Sequence, residues 1–420
     1  MRQSQASCGQ SQPFANAYSA GRILNATVIT QYIDAILNTS STSLPTFTCP
    51  AINTTRYHDL TPKRSASTLD YFFALNLREN LSLLPVLLGN IVEAIKYLGP
   101  KRCALSIVEG NSPDGTADVL AALRPVLDGL DISYHFTSSE INPGGKDNGA
   151  VRIERLAQLR NMALEPLMNA SSKKIHPTPD TTVLFINDVA ACAEDILELV
   201  YQRRHLGADM TCAMDWIYTG GAPLFYDSWI SRTIKGDGFI FSPEPNPFEF
   251  AWDVFREDPD AKAYFVEKVP FQVFACWNGA VAFTAQPLLS HELRFRPANE
   301  SAGECHQGEP NTFCKDMWFH GHGKIAVVPS INLEYSVDKG KAIKETQGFT
   351  SDAVSKQHLD HRIDWQLEPP AMVKCIPKWD HQVWLPWNES LTVGESVQGA
   401  GGAQKEEKKP PKTKRYHPRF

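Results

Sequence analysis

Between Tyr71 and Val200 the chain alternates short apolar runs with longer segments whose apolar residues recur at helical spacing. The short runs predict four strands, YFFALNL, CALSIVE, ISYHFTS and TTVLFI, and the segments between them predict helices. Connections of this length suit right-handed βαβ crossovers, which join parallel strands. The sequence therefore predicts an α/β fold, with a mostly parallel mixed sheet that has helices on both faces.

The rest of the chain divides around this core. Residues 1–65 are rich in Ser, Thr and Asn around one helical segment, and they are predicted to form an N-terminal arm or stem. Residues 66–395 are predicted to form one domain, because strand-like apolar runs continue beyond Val200. Residues 396–420 are basic and nearly free of aliphatic side chains, which predicts a disordered tail. The net charge of -6 gives no reason to expect a nucleic-acid partner.

Polar residues follow two of the predicted strands, at the edge where ligands of open α/β sheets bind. Glu109, Asn111 and Ser112 follow the second strand, and Asn187-Asp188 follows the fourth. Their convergence predicts a ligand site. Asp188 has two interpretations: it caps the next helix, or it binds a divalent cation that neutralises a diphosphate.

Other polar residues also admit a structural and a functional interpretation. Arg160 and Asn161 lie in a helical segment, where they are either solvated or directed at donor phosphates. Glu194 and Asp195 fit the first turn of a helix, where acids complement the dipole. The HGHG segment at residues 320–323 is more typical of surface histidines than of metal ligands. No GxxxxGK[ST], HExxH or GxSxG motif occurs, which excludes simple assignments to P-loop NTPases, zincins and α/β-hydrolases.

The density of glycosylation sequons indicates a lumenal or secreted protein. Seven Asn-x-Ser/Thr sequons are present, at Asn25, Asn38, Asn53, Asn80, Asn169, Asn299 and Asn388. The N-terminus lacks the apolar centre of a signal peptide. The sequence also has no run of about 18 uninterrupted apolar residues, the length needed to span a bilayer. These observations agree if an N-terminal signal-anchor lies outside this sequence.

The nine cysteines allow at least one free or intermolecular thiol, since the number is odd. Cys305 and Cys314 flank a polar loop and are the best candidates for a disulfide, with two free thiols as the alternative. The cysteines in or beside apolar runs are expected to be buried thiols: Cys103, Cys192, Cys212 and Cys276.

A series of motifs from about Ile23 to Tyr335 resembles the fungal cryptococcal mannosyltransferase family, which includes capsule-associated proteins. The motifs are YFFALNLREN, CALSIVEGNSPDGT, RIERLAQLRNMALEPL, LFINDVAACAEDILEL, ADMTCAMDW, FYDSWISR, FACWNG and GEC…FCKDMW. The resemblance implies a GT-A-type nucleotide-diphospho-sugar transferase fold. It also implies a retaining α-1,3-mannosyltransferase that uses GDP-mannose, Mn²⁺ or Mg²⁺ and a mannoside acceptor. Such an enzyme would be a type II membrane protein of the Golgi lumen, acting in fungal glycan, capsule or cell-wall synthesis.

The resemblance also implies roles for individual residues. Asp188 would bind the metal, while Glu109 and Ser112 would line the nucleotide. The acids expected to orient the acceptor or steady the developing oxocarbenium charge are Asp215, Glu304 and Asp316. The residues expected to line the acceptor or the donor sugar are Trp216, Trp277, Asn278 and Gly279. Two positions depart from the family pattern: Asn76 stands where Asp is expected, and Glu309 is followed by Pro310.

Two alternatives remain open at this point. The same fold can serve another donor, such as UDP-xylose or UDP-glucuronate, because the base and the sugar are read by side chains that sequence cannot place. A catalytically silent, glycan-binding subunit of a polysaccharide synthesis complex is the second alternative. The presence of Asp188, Arg160 and Asp215 favours an enzyme.

Overall fold

A computed structural model describes residues 23–61, 68–144, 149–169, 176–243, 246, 249–357 and 360–391. Its strands are β1 (Thr68–Leu77), β2 (Cys103–Glu109), β3 (Ser133–Ser138), β4 (His176–Ile186), β5 (Met210–Thr219), β6 (Ala222–Phe225), β7 (Arg232–Thr233), β8 (Phe271–Ala275), β9 (Ala280–Thr284), β10 (Ile325–Leu333), β11 (Met372–Lys378) and β12 (His381–Pro386). Its helices are α1 (Ala26–Leu37), α2 (Leu84–Leu98), α3 (Thr116–Ala122), α4 (Arg124–Gly129), α5 (Gly149–Met168), α6 (Ala193–His205), α7 (Pro259–Val266), α8 (Gln286–Ser290), α9 (Glu309–Phe319), α10 (Val337–Gln347) and α11 (Thr350–Val354).

The main sheet has the order β3-β2-β1-β4-β9-β5-β10-β8-β7, with β6 paired to β5. Parallel pairs join β1 to β2 and β4, β2 to β3, and β5 to β10. β9 is antiparallel and lies between β4 and β5. The predicted α/β fold with a mostly parallel mixed sheet is confirmed, and β1 to β4 correspond to the four predicted strands.

The sheet is buried on both faces because helices cover each of them. Along β1, Phe73 and Leu75 pack in one core cluster with α2 and α6. Phe72 and Ala74 point to the opposite face and pack in a second cluster with α5 and α9. Side chains of a strand alternate between faces, so a strand buried on both sides is a continuous apolar run, as β1 is.

One helical segment among the described residues, Leu81–Leu98, is apolar and long enough to cross a membrane. It includes α2, and 72% of its apolar window is buried inside the fold. Its apolar residues pack under β1 and against α6, so it is a core helix of this domain.

The described part of the predicted arm, residues 23–61, packs on the domain instead of standing free. α1 contacts α2 and α3. A disulfide joins Cys49 to Cys192, and the buried Tyr57 donates its hydroxyl to Glu198. Residues 1–22 and 62–65 of the arm, and the whole predicted tail at 396–420, lie outside the described residues.

The disulfides differ from the prediction. Cys305 pairs with Cys375 of β11, with a Cα–Cα distance of 5.8 Å, while Cys314 is a free buried thiol. The Sγ of Cys314 points from α9 into the core, toward the carbonyl oxygen of Cys276 at 3.4 Å. The predicted Cys305–Cys314 bond is therefore wrong, because the two side chains face different elements.

The expectation of buried thiols also fails for three cysteines. Cys212 pairs with Cys276, which links β5 to the end of β8, and Cys192 pairs with Cys49. Both bonds are buried inside apolar surroundings, where sequence context suggested reduced thiols. Only Cys103, at the start of β2, is a buried free thiol as expected.

The sequon asparagines divide into two groups. Six are exposed and remain predicted glycosylation sites: Asn25, Asn38, Asn53, Asn169, Asn299 and Asn388. Asn80 is only 8% exposed, and its Nδ2 donates a hydrogen bond to Asp188 at 3.1 Å. This burial disfavours a glycan at Asn80, which stays a prediction.

Candidate active site

Asp188 follows the carboxyl end of β4 and does not cap a helix. The N-cap of α6 is Cys192, whose backbone N–H donates to the Asp195 carboxylate at 2.7 Å. This contact identifies Asp195 as the capping acid. The Asp188 Oδ2 atom instead accepts the hydrogen bond from Asn80. The cap interpretation of Asp188 is therefore wrong, and its carboxylate is available to a ligand.

The loops after β1, β2 and β4 meet at this edge of the sheet, as the convergence of polar residues predicted. Glu109 is fully buried and accepts hydrogen bonds from the backbone N–H groups of Ser112 at 2.6 Å and Asn111 at 3.2 Å. Ser112 in turn accepts a bond from the backbone of Glu79 at 2.8 Å, next to Asn80. Glu109 and Ser112 therefore hold the loops together, and a direct contact of either with a nucleotide stays a prediction. Asn111 is exposed at the edge.

Arg160 is buried and is not the solvated residue of the structural interpretation. Its Nε donates to Glu309 at 2.8 Å, and its guanidinium carbon lies 4.6 Å from the Trp277 ring centroid. A longer contact of 3.4 Å joins Nη1 to Asn187. The Arg160 charge therefore lies close enough to act on Asp188, and Glu309 has the role of holding the guanidinium in place.

Asn161 lies next to Arg160 on α5 but has a structural role. Its side-chain amide donates to the Phe295 carbonyl at 2.9 Å and accepts from the Phe295 backbone N–H at 3.0 Å. This paired contact positions the segment before α9. The prediction that Asn161 faces the donor is not supported by these contacts.

The turn at Trp277, Asn278 and Gly279 connects the two halves of the site. Trp277 donates its Nε1–H to Asn187 at 3.1 Å, and the backbone N–H of Asn278 donates to Asp227 at 2.8 Å. Gly279 has φ +82, and a Cβ there would lie 3.2 Å from side-chain atoms of Asp215 and Val189. Glycine is needed here because the turn is left-handed and tightly packed.

Trp216 differs from Trp277. It is 2% exposed, and its Nε1–H donates to Asn332 at 2.9 Å inside the core. Its ring packs against Phe225 at a centroid distance of 6.0 Å. The prediction that Trp216 lines a sugar is wrong, because consecutive residues of β5 face opposite sides and Trp216 faces the second core cluster.

Asp215, near the end of β5, is fully buried and is hydrogen-bonded to the half-buried Asp227. Its Oδ2 accepts from the Tyr335 hydroxyl at 2.5 Å, and its Oδ1 accepts from the Asp227 backbone N–H at 3.2 Å. Burial, together with the Asp227 charge, raises the pKa of Asp215. Burial also raises the pKa of Asp227 to about 6. Asp188, Asp215 and Asp227 are called the edge acids below.

Glu304 and Asp316, predicted to be catalytic, belong instead to an ion-pair cluster with Arg296, Lys315 and Glu389. Arg296 donates to both carboxylates, at 2.7 Å to each, and Lys315 pairs with Glu304 and Glu389. Asp316 also lies seven residues along α9 from Glu309, about 10 Å of helix axis. The cluster holds α9 to its neighbours, and none of these contacts supports a catalytic role for the two acids.

The electrostatics of the ion-pair cluster agree with this structural role. Burial alone would disfavour the Glu304 charge, but the hydrogen bonds and charges of Arg296 and Lys315 outweigh it and lower its pKa to about 2. Burial raises the pKa of Asp316, with the Glu304 charge adding to the effect. Glu304 is therefore the acid that holds its charge most firmly in this cluster.

Four residues of the site were missed by sequence reasoning: Asn80, Asp227, Glu309 and Tyr335. Tyr335 follows β10, so the rule that selected Asp188 after β4 applies to it equally. Asp227 follows the short hairpin strand β6 and carries no such signal. It lay in the FYDSWISR motif, which was used for the resemblance without assigning its acid a role.

The described residues contain no group of three or more His, Cys, Asp or Glu side chains placed to hold a metal ion. His322, from the HGHG segment, lies 3.5 Å from Asp209 and belongs to no such group. Asp188 by itself suits a cation site in which water and substrate phosphates supply most of the ligands. Mg²⁺ at phosphate sites often takes only one or two protein carboxylates, the remaining ligands being water and substrate phosphates. Mn²⁺ shares this preference for oxygen ligands.

Comparison with known proteins gives two matches in sequence. Residues 70–316 match the family model described as Cryptococcal mannosyltransferase 1. The Alpha-1,3-mannosyltransferase CMT1 of Cryptococcus neoformans var. neoformans serotype D is 36% identical over 346 residues, covering 76% of this chain and 72% of that protein. The matched region includes Asp188, Arg160, Asp215 and Asp227.

Solved structures give weaker matches. S. aureus TarS in complex with UDP aligns with a TM-score of 0.36 and 12% identity over 64% of this chain. The mannosyltransferase PcManGT from Pyrobaculum calidifontis, in complex with GDP-Man and Mn²⁺, aligns with a TM-score of 0.35 and 10% identity over 73%. The chain spans 60% and 66% of those two proteins, less than two thirds of either. Similarity at this level adds nothing to the fold described above.

Proposed function

This chain belongs to the cryptococcal mannosyltransferase 1 family and is a glycosyltransferase, and from this premise we propose that it transfers mannose from GDP-mannose to a mannoside in α-1,3 linkage. The observation that carries the proposal is the position of Asp188, whose carboxylate lies at the carboxyl end of β4 and does not cap a helix. The residue also lies inside the region that matches the family model. The 36% identity to a named α-1,3-mannosyltransferase supports the sugar and the linkage.

Asp188 is the residue proposed to hold the divalent cation, Mn²⁺ or Mg²⁺. When bound, the cation neutralises the charge that develops on the leaving diphosphate. Asn80 orients the carboxylate through its hydrogen bond to Oδ2, which leaves Oδ1 for a ligand. Arg160 adds positive charge behind the edge while Glu309 and Asn187 hold its guanidinium in place.

The proposed reaction retains the anomeric configuration, since donor and product are both α-linked. The bond from the sugar C1 to the diphosphate oxygen breaks, and a bond forms from C1 to the 3-hydroxyl oxygen of the acceptor. The hydroxyl proton passes to the departing phosphate, so no base is consumed. Each group stays close to the reacting carbon on one face, where orientation supplies much of the rate.

A lumenal location is part of the same proposal, with the Golgi as the compartment. Three disulfides support it, because such bonds persist in oxidising compartments. Six exposed sequon asparagines support it as well. Attachment through an N-terminal anchor stays a prediction.

The experiment is a transfer assay with the full chain, GDP-mannose, Mn²⁺ and an α-linked dimannoside acceptor. We expect a product one hexose heavier, whose new bond is cut by an α-1,3-specific mannosidase, and we expect no product after chelation. Parallel reactions with UDP-xylose and UDP-glucuronate test the other donors. A product only from a UDP-sugar would replace the proposed donor, and no turnover or metal-linked affinity for any donor would identify a silent subunit.

A further inference from the structure

The acceptor side of the site needs an acid whose oxygen is not already committed, and the contacts leave one candidate. Glu304 and Asp316 are bound by Arg296. Asp215 is fully buried, and both of its carboxylate oxygens accept hydrogen bonds. Asp188 is assigned to the cation. Asp227 is the remaining acid of the edge.

Asp227 is held in one orientation with one oxygen unused. Its Oδ2 accepts the Asn278 backbone N–H, and its own backbone N–H donates to Asp215. No donor among the described residues bonds its Oδ1. The residue is half-buried, and Oδ1 is the carboxylate oxygen that the contacts among the described residues leave without a partner. A carboxylate fixed this way is a prepared hydrogen-bond acceptor, because its orientation is already determined before the ligand arrives.

The neighbouring Tyr226 offers an aromatic ring at the same place. It is 51% exposed, one of the more exposed large apolar side chains described. Its ring packs on Tyr335 with a centroid distance of 4.8 Å, and its backbone N–H donates to the Asp215 carbonyl at 3.1 Å. The ring is therefore held at the edge acids with one face available. A rigid ring beside a polar group is a typical arrangement for an amphipathic ligand.

The charge of the edge restricts the ligand class. Burial is the main reason that the pKa values of Tyr226 and Tyr335 are raised, and the charges of Asp188, Asp215 and Asp227 add to it for both, while the Arg152 charge acts in the opposite direction on Tyr226. All three acids are thus near the two rings. An acceptor with an anionic group would be repelled here, whereas a neutral ring bearing hydroxyl groups can donate hydrogen bonds.

We propose that Tyr226 and Asp227 form the acceptor subsite, in which a neutral pyranoside stacks on the Tyr226 ring, and a hydroxyl next to the one that receives the sugar donates a hydrogen bond to Asp227 Oδ1. The inference rests on the proposed function, because it names the acceptor side of that same site. Asp227 thereby orients the acceptor ring so that the reacting hydroxyl faces the donor sugar, and the proton of that hydroxyl passes to the departing phosphate.

The test compares Asp227→Asn and Tyr226→Ala with two matched controls, Asp260→Asn and Tyr264→Ala, whose exposed side chains lie on α7. Initial rates are measured with varied dimannoside at saturating GDP-mannose, and GDP affinity is measured by calorimetry with Mn²⁺. We expect Tyr226→Ala to raise the acceptor KM about tenfold, and Asp227→Asn to lower kcat/KM for the acceptor about 100-fold. GDP affinity should stay within about twofold, and the controls should behave as wild type.

Direct binding separates this inference from the proposed function. Saturation-transfer NMR with methyl α-mannoside and the dimannoside reports acceptor binding without a donor. If the wild type transfers no mannose, the proposed function fails, yet loss of NMR contacts in Tyr226→Ala would still support the subsite. If both variants keep wild-type acceptor KM, kcat/KM and NMR contacts, the subsite is overturned while the proposed function stands. Should Asp227→Asn not fold, the Tyr226→Ala and Tyr226→Phe pair decides, because Phe keeps the stacking face.

Discussion

The edge acids and the acids of the ion-pair cluster are two groups of buried or half-buried carboxylates with different surroundings. Glu304 and Asp316 share Arg296, and Lys315 adds a second cation. Among the described residues no Lys or Arg forms an ion pair with Asp188, Asp215 or Asp227. The pKa of Glu304 is consequently lowered to about 2, whereas burial raises the pKa values of all three edge acids. Burial also raises the pKa of Asp316, where it outweighs the Arg296 charge, so Glu304 is the acid that carries this contrast.

The difference shows how a fold separates acids that stabilise it from acids that serve a ligand. A carboxylate whose cations outweigh its burial, as those of Glu304 do, lowers the free energy of the folded state and has no oxygen left for a ligand. A carboxylate that is buried without a cation destabilises the fold, and a bound cation or hydroxyl group relieves that cost. Both groups lie in motifs of similar appearance in the sequence, so only the contacts distinguish them.

Replacement of Asp188 by Asn is the strongest way to break this comparison. The isosteric change keeps the size and removes the charge that the cation needs, so we expect transfer to fall about 10⁴-fold, ~5 kcal/mol of transition-state stabilisation. Because burial raises the pKa of Asp188, the fold should lose no stability. Rates with GDP-mannose and Mn²⁺, together with thermal unfolding of the free protein, measure both effects. An enzyme that keeps near-normal turnover would falsify the metal assignment.

Glu304→Gln should give the reverse result. The substitution leaves the buried Lys315 and the half-buried Arg296 with too little negative charge, which costs about 3–5 kcal/mol in unfolding free energy. Activity per folded molecule should not change. Denaturant unfolding and rates at low temperature measure the two quantities.

Glu300→Gln is the matched control, since Glu300 is an exposed acid paired with His306, and its effect should stay within about 0.5 kcal/mol. If Glu304→Gln abolished transfer in fully folded protein, the structural assignment of the ion-pair cluster would have to be abandoned.

The disulfide beside the ion-pair cluster provides the next test. Cys375→Ser breaks the bond between β11 and Cys305, which follows Glu304 directly. Closing a chain loop restricts the unfolded state, so its loss should cost about 2–4 kcal/mol without lowering the rate of folded enzyme. Peptide mapping without reductant should recover Cys305 linked to Cys375. Recovery of Cys305 linked to Cys314 would contradict the observed pairing.

Sequence reasoning succeeded where a local rule determines the outcome. β2, the middle of β1 and the last residues of β4 are buried on both faces, so each contains a mainly apolar run, and Asp188 was found because it follows one of them. It failed where partners are distant in sequence. Cys375 lies 70 residues from Cys305, whereas Cys314 was the nearer choice. The pairing of Glu304 with Arg296 and the exposure of Asp227 depend on how α9 and the 277–279 turn pack, which no periodicity records.

The response to pH is the prediction with the smallest expected effect. A single titration should distinguish the edge acids from the acids of the ion-pair cluster. Asp227 has its pKa raised by burial from 3.8 to about 6, so its carboxylate forms only as the pH rises through 6. If the carboxylate binds an acceptor hydroxyl, kcat/KM for the acceptor should fall about tenfold for each pH unit below 6.

The raised pKa of Asp227 also lowers the stability of the fold as the pH rises from about 4 to 6, since the folded state disfavours the charge. Glu304 acts with the opposite sign: its lowered pKa contributes stability that is fully present above pH 4.5 and is lost as the pH falls through 2.

Between pH 6 and 4.5 we therefore expect activity to decline while the fold, followed by circular dichroism, stays intact. Asp227→Asn should remove the acid limb near pH 6, and Asp260→Asn should keep it. If the acid limb is unchanged in Asp227→Asn, the titration belongs to another group. The pH profile would then give no evidence that Asp227 binds the acceptor.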